Sequence, residues 1–138
     1  MQVVINVDGG SRGNPGPAGA GIVIAAADDG TILHKAGVFI GQATNNVAEY
    51  TGLIEGLKRA AKLQATDVKV LSDSELMVRQ MTGQYRVKNQ GLKPLYEEAT
   101  QLAGQLSKFS IAHVRREQNE AADALANKAM NLKRTFED

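Results

Sequence analysis

Cysteine is absent from this chain of 138 residues, and histidine occurs only twice. Without cysteine, the protein has no disulfide framework, no zinc site with thiolate ligands and no cysteine nucleophile. Two histidines leave little material for a histidine-based metal site. Any catalytic or metal-binding chemistry must therefore rest on other polar side chains.

Long apolar runs and a large excess of one charge are also missing. No stretch approaches the roughly 20 apolar residues of a membrane span. The start, MQVVINVDGG, has neither the basic residues nor the apolar length of a signal peptide. We therefore expect a cytoplasmic protein without membrane contact. The formal net charge is only +1, so any contact with nucleic acid must be local rather than driven by bulk charge.

Hydrophobic periodicity predicts an α/β fold in a single domain. The length, with 43% hydrophobic and 22% charged residues, fits one ordinary globular domain. Three strands open the chain and each later strand follows a helix, so the later strands can run parallel to the first. We expect the domain to cover residues 1–132 and residues 133–138 to form a loose tail. The predicted strands are 3–7, 21–27, 31–40, 68–71 and 108–114, and the predicted helices are 46–63, 75–81, 94–106 and 120–132.

Four carboxylates occupy positions where ligands often bind in such folds. Asp8 and Asp73 each follow a predicted strand, and ligands bind outside the carboxyl ends of strands in open α/β sheets. Glu49 and Asp123 lie near the starts of two predicted helices, and helical periodicity turns both towards apolar faces. Hard oxygen ligands of this kind favour Mg²⁺ or Mn²⁺.

Each carboxylate taken singly also has a purely structural interpretation. Asn46 and Glu49 fit a capping box, and Asp73 could cap the helix that follows it. Asp8 could belong to a turn, and Asp123 could favour the helix dipole. The metal interpretation is preferred because four such residues occur together.

The glycine-rich segment 8–21, DGGSRGNPGPAGAG, does not fit the common phosphate-binding loops. It lacks the Gly-Lys-Ser/Thr ending of a P-loop, and a strand pattern follows it where a dinucleotide fingerprint requires a helix. Its glycines either allow the backbone to approach a ligand or simply form a turn. Asn14 within it offers an amide donor and acceptor.

Two further segments could contact a phosphate backbone. Thr44, Asn45 and Asn46 stand at the start of a predicted helix, where free backbone N–H groups favour phosphate. A basic strip between residues 84 and 93 could follow a nucleic-acid strand, although a solvated loop is the alternative. Its members are Tyr85, Arg86, Lys88 and Lys93.

Four segments together resemble the motif blocks of the ribonuclease H family, type 1 branch. They are DGGSRGNPGPAGAG at 8–21, TNNVAEY at 44–50, SDSEL at 72–76 and NEAADALAN at 119–127. The blocks match in order, spacing and chemistry, and the likeness covers residues 1–132. The chain resembles a short form of the family, because only residues 82–91 stand where many bacterial members insert a helix and a basic loop.

The resemblance implies a five-stranded mixed sheet flanked by helices, and an endonuclease that hydrolyses the RNA strand of RNA/DNA hybrids to 5′-phosphate and 3′-hydroxyl ends. It implies two divalent ions, Mg²⁺ or Mn²⁺, held by the catalytic carboxylates Asp8, Glu49, Asp73 and Asp123. It also implies substrate contacts through the amides of Asn14, Asn45 and Asn46 and a DNA phosphate at Thr44, while Arg86 and Lys88 are the candidates from the basic strip. Double-stranded RNA stays open as a further substrate, and no obligate protein partner is expected.

One departure from the family pattern concerns proton transfer or product release. Many members carry a flexible loop with a histidine before the last helix, whereas here the strand runs almost directly into the helix. His113 falls within the strand pattern, so we interpret it as structural. The remaining candidates for the role of that loop are Arg115, Arg116 and Glu117.

Two other functions compete with this interpretation. A non-catalytic nucleic-acid-binding module of the same fold would keep the basic strip but would not need all four acids. Another two-metal nuclease of the wider group, such as a junction resolvase, would cut duplex DNA, usually as a dimer. The polar block at residues 44–46 disfavours the second alternative.

Overall fold

A mixed sheet of six strands, in the order β5-β4-β1-β2-β3-β6, organises the chain. The computed structural model describes residues 1–138. No helix in it is both long enough and apolar enough to cross a membrane. The strands are β1 (Gln2–Ser11), β2 (Gly16–Ala26), β3 (Ile32–Ala43), β4 (Asp67–Ser72), β5 (Lys108–His113) and β6 (Phe136–Glu137). The helices are α1 (Asn45–Lys62), α2 (Glu75–Met81), α3 (Lys93–Gly104) and α4 (Glu120–Leu132), and a 3₁₀ turn covers Arg116–Gln118.

Strand β1 lies at the centre of the sheet and joins its two parts. It pairs antiparallel with β2 and parallel with β4, and β4 in turn pairs parallel with β5. Val3, Ile5 and Val7 are buried and belong to the main core cluster. Helices α1 and α4 both pack against β1, α1 at the main core and α4 also across β2 and β3. The predicted mixed α/β sheet is confirmed, with six strands instead of five.

The first hairpin is longer than the hydrophobic pattern predicted. Strand β1 does not stop at Asp8 but continues to Ser11, paired only with the start of β2. The partner residues there, from Ala18 to Gly21, are alanine and glycine, which strand propensity does not favour. Their backbone pairing, and not a run of large apolar side chains, extends the strand.

The C-terminal tail is ordered, so the expectation of a loose segment over residues 133–138 is wrong. Phe136 and Glu137 form β6 against the edge of β3. The Glu137 carboxylate accepts hydrogen bonds at 2.9 and 2.7 Å from the Nε and Nη2 groups of Arg59. It also lies 2.6 Å from Nε2 of His34. The tail is therefore held by an ion pair with a residue far away in the sequence.

Removing the charge of Glu137 tests how much this ion pair stabilises the fold. The pair with Arg59 lowers the pKa of Glu137 below its ordinary value of 4.5, so the stabilisation is present above that value and is lost as the pH falls below it. Because Glu137 is partly exposed, we expect Glu137→Gln to lower the free energy of unfolding by only about 1 kcal/mol at neutral pH. The difference should disappear towards pH 3.

Urea denaturation of parent and variant across this pH range measures the effect. Glu97→Gln is the matched control, because Glu97 is exposed and takes part in none of the ion pairs of the structure. If Glu137→Gln and the control are equally stable at neutral pH, the tail contributes by backbone pairing alone.

Candidate active site

Three carboxylates meet at the carboxyl ends of the central parallel strands. The parallel pairing of β1 and β4 ends at Val7 and Ser72, so the next residues, Asp8 and Asp73, emerge side by side. Glu49 of α1 joins them, and one carboxylate oxygen from each of the three lies within 4.8 Å of the other two. Asp8 and Glu49 are each only 8% exposed. The structure thus brings together three of the four carboxylates that the sequence analysis singled out.

Glu49 reaches the cluster because Gly9 allows α1 to lie directly on β1. A Cβ atom at Gly9 would overlap the carbonyl of Ala48, the residue before Glu49. The Gly9 N–H donates a hydrogen bond of 2.6 Å to Oε1 of Glu49. Glu49 is not part of a capping box with Asn46, because Thr44 caps α1 by accepting from the N–H of Val47 at 3.2 Å.

Asp123 reaches the cluster because another glycine allows a helix to lie directly on the sheet, here on the opposite face. Gly21 is the register partner of Asp8, and a Cβ atom there would overlap the carbonyl oxygen of Ala122 in α4. The next residue, Asp123, interacts with Asp8 closely enough to affect its pKa. Asp123 lines the same cavity as Ala126 and Met130, as its predicted position at the edge of the apolar face implies, but its side chain is exposed and lies at the rim of the cluster.

Asn119 connects the start of α4 to the strand that carries Asp8, a role that sequence reasoning missed. An asparagine directly before a helix is typical of an N-cap, but the side chain of Asn119 makes no capping hydrogen bond. Instead it is 1% exposed, donates from Nδ2 to the carbonyl of Val7 at 2.8 Å and accepts from Nδ2 of Asn6 at 3.0 Å. The partners are more than 100 residues distant in sequence, so no local signal could have identified them.

The electrostatics of the cluster favour a bound cation. Burial, the hydrogen bond with Asp123 and the charge of Asp73 raise the pKa of Asp8 to about 8. Burial and the negative charges of Asp8 and Asp73 raise the pKa of Glu49 to about 9, against weaker opposing effects of the Gly9 N–H and Arg116. Several carboxylate oxygens at this spacing form a hard donor set, which fits a divalent ion such as Mg²⁺ or Mn²⁺.

The carboxylates line an open cavity of about 420 Å³ together with polar residues from four elements. Of the three candidates before α4, only Arg116 lines this cavity, whereas Arg115 and Glu117 do not. His113 is exposed at the last position of β5 and does not line it either. Of the three candidates, Arg116 is therefore the one placed to contact a ligand at the carboxylates.

The predicted substrate amides hold the glycine-rich segment against the start of α1. Oδ1 of Asn45 accepts hydrogen bonds from the N–H and the hydroxyl of Ser11, at 2.9 and 3.2 Å. Oδ1 of Asn14 accepts from the N–H of Asn45 at 3.0 Å. No protein acceptor engages the NH₂ group of either amide, so both groups can donate to a ligand.

A second cavity of about 300 Å³ lies beside the first. Asn46 lines both cavities, and its side chain has no hydrogen bond within the protein. Thr44 and Asn14 line the second cavity with Asn89, which sequence reasoning did not single out. Arg86 and Lys88 are exposed and line neither cavity. The basic strip therefore stays a prediction.

The fold and this acidic site define a class of nucleases that build their active site on a mixed sheet, and comparisons with known proteins agree. Residues 6–129 match the family model described as reverse transcriptase-like. The chain is 53% identical over 131 residues to the Bifunctional protein Rv2228c of Mycobacterium tuberculosis, an alignment that covers 95% of this chain and 36% of that protein. The chain thus spans about a third of the length of that relative.

Two solved structures are similar over nearly their whole length. The RNase H1 of Halobacterium salinarum is 42% identical with a TM-score of 0.92, over 95% of this chain and 98% of that chain. LC11-RNase H1, solved in complex with an RNA/DNA hybrid, is 40% identical with a TM-score of 0.90 over the same shares. The chain belongs to the ribonuclease H family, type 1 branch.

Proposed function

We propose that this chain is a metal-dependent endonuclease that hydrolyses the RNA strand of RNA/DNA hybrids and leaves 5′-phosphate and 3′-hydroxyl ends. The observation that carries the proposal is the cluster of Asp8, Glu49 and Asp73, each with one carboxylate oxygen within 4.8 Å of the others. The cavity that they line also contains Asn45 and Asn46. We assign the catalytic domain to residues 1–132, with the last residues docked on β3.

Two divalent ions, Mg²⁺ or Mn²⁺, are the cofactors we propose for Asp8, Glu49, Asp73 and Asp123. When bound, such a pair supplies an activated water and stabilises charge at the phosphorus and the leaving oxygen. The chain's own contribution is to fix the donors. Hydrogen bonding to Gly9 and burial hold Glu49 in one orientation, while the exposed Asp123 stands where it can adjust to the substrate.

Selection of RNA would depend on the amides. Oδ1 of Asn45 accepts two hydrogen bonds within the protein and Oδ1 of Asn14 accepts one, whereas neither NH₂ group is engaged, so we expect both residues to meet substrate chiefly as donors. The 2′-hydroxyl oxygen is an acceptor that DNA lacks, and A-like duplexes display it in a wide, shallow minor groove. Asn45 lines the carboxylate cavity and Asn14 the second one, so both face the regions where a duplex would lie.

The two cavities would receive the two strands of the hybrid. The RNA strand must enter the carboxylate cavity, because cleavage occurs there. The second cavity contains Thr44 at the start of α1, where the free N–H groups of an 18-residue helix attract phosphate. We therefore place a DNA phosphate there, with Asn46 between the strands.

One assay tests this function against its rivals. Labelled RNA/DNA, RNA/RNA and DNA/DNA duplexes are incubated with Mg²⁺, with Mn²⁺ or with a chelator. We expect cleavage of the RNA strand of the hybrid only when a divalent ion is present, and the RNA/RNA arm decides whether double-stranded RNA is a second substrate. Cleavage that persists in chelator would exclude the metal mechanism, equal cleavage of DNA would exclude the specificity, and binding without cleavage would favour the non-catalytic module.

The basic strip predicts how the affinity for hybrid depends on salt. Arg86 and Lys88 flank Val87, which is buried and anchors the segment. If both side chains contact phosphates, the variant Arg86→Ala/Lys88→Ala should lower the slope of log affinity against log salt by about two units, one for each contact. The control Lys69→Ala/Lys108→Ala removes the same charge from exposed positions on β4 and β5. Equal slopes for the strip variant and the control would mean that the strip is a solvated loop.

A further inference from the structure

Arg12 is a cation at the carboxylate cavity for which the structure shows no internal partner of opposite charge. The cavity has only two basic residues in its wall, Arg12 and Arg116. Arg12 is exposed and takes part in none of the ion pairs of the protein. Its one side-chain hydrogen bond is long, at 3.5 Å from Nη2 to the carbonyl of Asn127. Most of the five guanidinium donors are therefore free for a ligand.

The backbone at Arg12 is held in place, so the side chain extends from a fixed position. The Arg12 N–H donates to the carbonyl of Pro17 at 2.8 Å. A Cβ atom at Gly16 would overlap the Arg12 carbonyl, so the two ends of the loop lie in direct contact. The preceding residue, Ser11, is tied to Asn45. Such support reduces the conformational entropy lost when the guanidinium binds.

The distance between Arg12 and the carboxylates is comparable to the spacing of neighbouring phosphates in a nucleic-acid strand. Its contact at Asn127 lies four residues beyond Asp123 in α4, which is about 6 Å along the helix axis at 1.5 Å per residue. Neighbouring phosphates of one nucleic-acid strand are joined through a single sugar, so they too are separated by only a few ångströms. A strand with one phosphate at the carboxylates therefore brings a neighbouring phosphate near Arg12.

The guanidinium group of Arg12 is suited to binding a phosphate. Guanidinium forms paired, charge-assisted hydrogen bonds with phosphate oxygens. Four carboxylates line the cavity, so an anionic strand that enters it gains from a cation beside them.

We propose that Arg12 binds an RNA-strand phosphate next to the one that is cleaved, and so fixes the register of the strand over the carboxylates. This inference rests on the proposed function. Arg12 would bind substrate in the ground state and the transition state alike, so its loss should raise KM and leave kcat nearly unchanged.

The experiment combines Arg12 variants with hybrids that carry one uncharged linkage. A methylphosphonate on a 2′-deoxynucleotide is placed at each RNA-strand position in turn, with the same deoxynucleotide and an ordinary phosphate as reference. Affinity is measured in the Asp73→Asn background with Mg²⁺, and kcat and KM are measured with Asp73 intact. The protein variants are Arg12→Ala, Arg12→Lys and the charge control Lys108→Ala, which changes an exposed residue of β5 outside the cavity.

We expect Arg12→Ala to weaken hybrid binding roughly tenfold and to lower the salt slope by about one unit. Arg12→Lys should restore the slope, and Lys108→Ala should change little. One neutral linkage beside the cut should weaken binding with Arg12 present and have no effect in Arg12→Ala.

Three results would overturn the proposal. They are an Arg12→Ala affinity equal to that of Lys108→Ala, a loss of kcat without a change in KM, and coupling of Arg12 only to the cleaved phosphate or to none. In each of these cases the protein with Arg12 intact still cleaves hybrid, so the proposed function stands. If that protein neither binds nor cleaves hybrid, the proposed function itself is wrong and the role of Arg12 fails with it.

Discussion

Asp73→Asn is expected to abolish hybrid cleavage and to leave the metal-free protein at least as stable as the parent. Asparagine keeps the shape of the side chain but removes a charged oxygen from a group whose oxygens lie within 4.8 Å of one another. Since the loss of residues that merely support metal ligands typically costs about 10- to 100-fold, the loss of a ligand itself should cost more than about 100-fold in kcat. Cleavage assays at saturating Mg²⁺ measure this effect.

The stability half of this prediction follows from repulsion within the metal-free cluster. The charge of Asp73 raises the pKa of both Asp8 and Glu49. Two like charges about 4 Å apart repel by roughly 1 to 4 kcal/mol at effective dielectric constants of 80 to 20. Proton uptake by Asp8 and Glu49 relieves most of this repulsion in the parent at neutral pH, so we expect a net gain in the free energy of unfolding of less than about 1 kcal/mol there and a larger gain at higher pH.

The pH dependence provides the sharper test. In the metal-free folded protein, the pKa values of Asp8 and Glu49 are raised to about 8 and about 9, from ordinary pKa values of 3.8 and 4.5. The folded protein therefore holds more protons than the unfolded chain across this window, and its stability falls as the pH rises through it. In Asp73→Asn this decline should be shallower. The difference from the parent should be near zero at pH 4 and largest at about pH 9.

Urea denaturation in chelator from pH 4 to pH 9 measures both curves. Asp67→Asn serves as control, because Asp67 lies at the other end of the same strand, β4, and outside the cluster. A variant that is clearly less stable than the parent at neutral pH would show that Asp73 acts chiefly as a structural anchor. In that case its assignment as a metal ligand would lose this support.

Gly21→Ala should destabilise the protein by about 3 kcal/mol or more, the largest stability effect that we expect. The new methyl group would overlap the carbonyl oxygen of Ala122, and the backbone of β2 cannot yield because this strand is paired on both sides. Overpacking of this kind costs about 1 to 3 kcal/mol even where flexible side chains can adjust. Relief requires a shift of α4, which would also move Asp123 away from Asp8.

Thermal and urea unfolding measure the loss, and Gly104→Ala is the control. Gly104 ends α3 with open space around it, so alanine there should be neutral or slightly stabilising. If Gly21→Ala folds, its cleavage activity should fall while binding of hybrid persists. Wild-type stability in Gly21→Ala would contradict the close approach of α4 to β2.

The sequence predicted the features of this protein that depend on local pattern. The order of strands and helices follows from apolar periodicity, and the convergence of Asp8 with Asp73 follows because parallel strands end at one edge of a sheet. The resemblance of four segments of the chain to known motif blocks identified the family. Each of these inferences needs only residues that are near one another in the chain or a known motif order.

The features that were missed depend on contacts across long separations or on small side chains. Asn119 bonds to Val7, Glu137 bonds to Arg59, and neither pair has a local signature. The extension of β1 relies on backbone pairing with alanine and glycine, which carry no strand signal. From the sequence, the glycines of segment 8–21 were expected either to let the backbone approach a ligand or to form a turn. In the structure, Gly9 instead allows a helix of the protein itself to lie against the strand.

The contacts of Gly9 and Gly21 affect how activity can be recognised in related sequences. Glu49 and Asp123 each follow the residue whose carbonyl lies against one of these glycines, so the backbone sets their distance from Asp8. A related chain with alanine at either position would retain all four carboxylates and pass any search for the ligand set, yet its acids would be misplaced. A screen for active members should therefore require the two glycines as well as the four acids, and inactive members should be sought among the sequences that lack them.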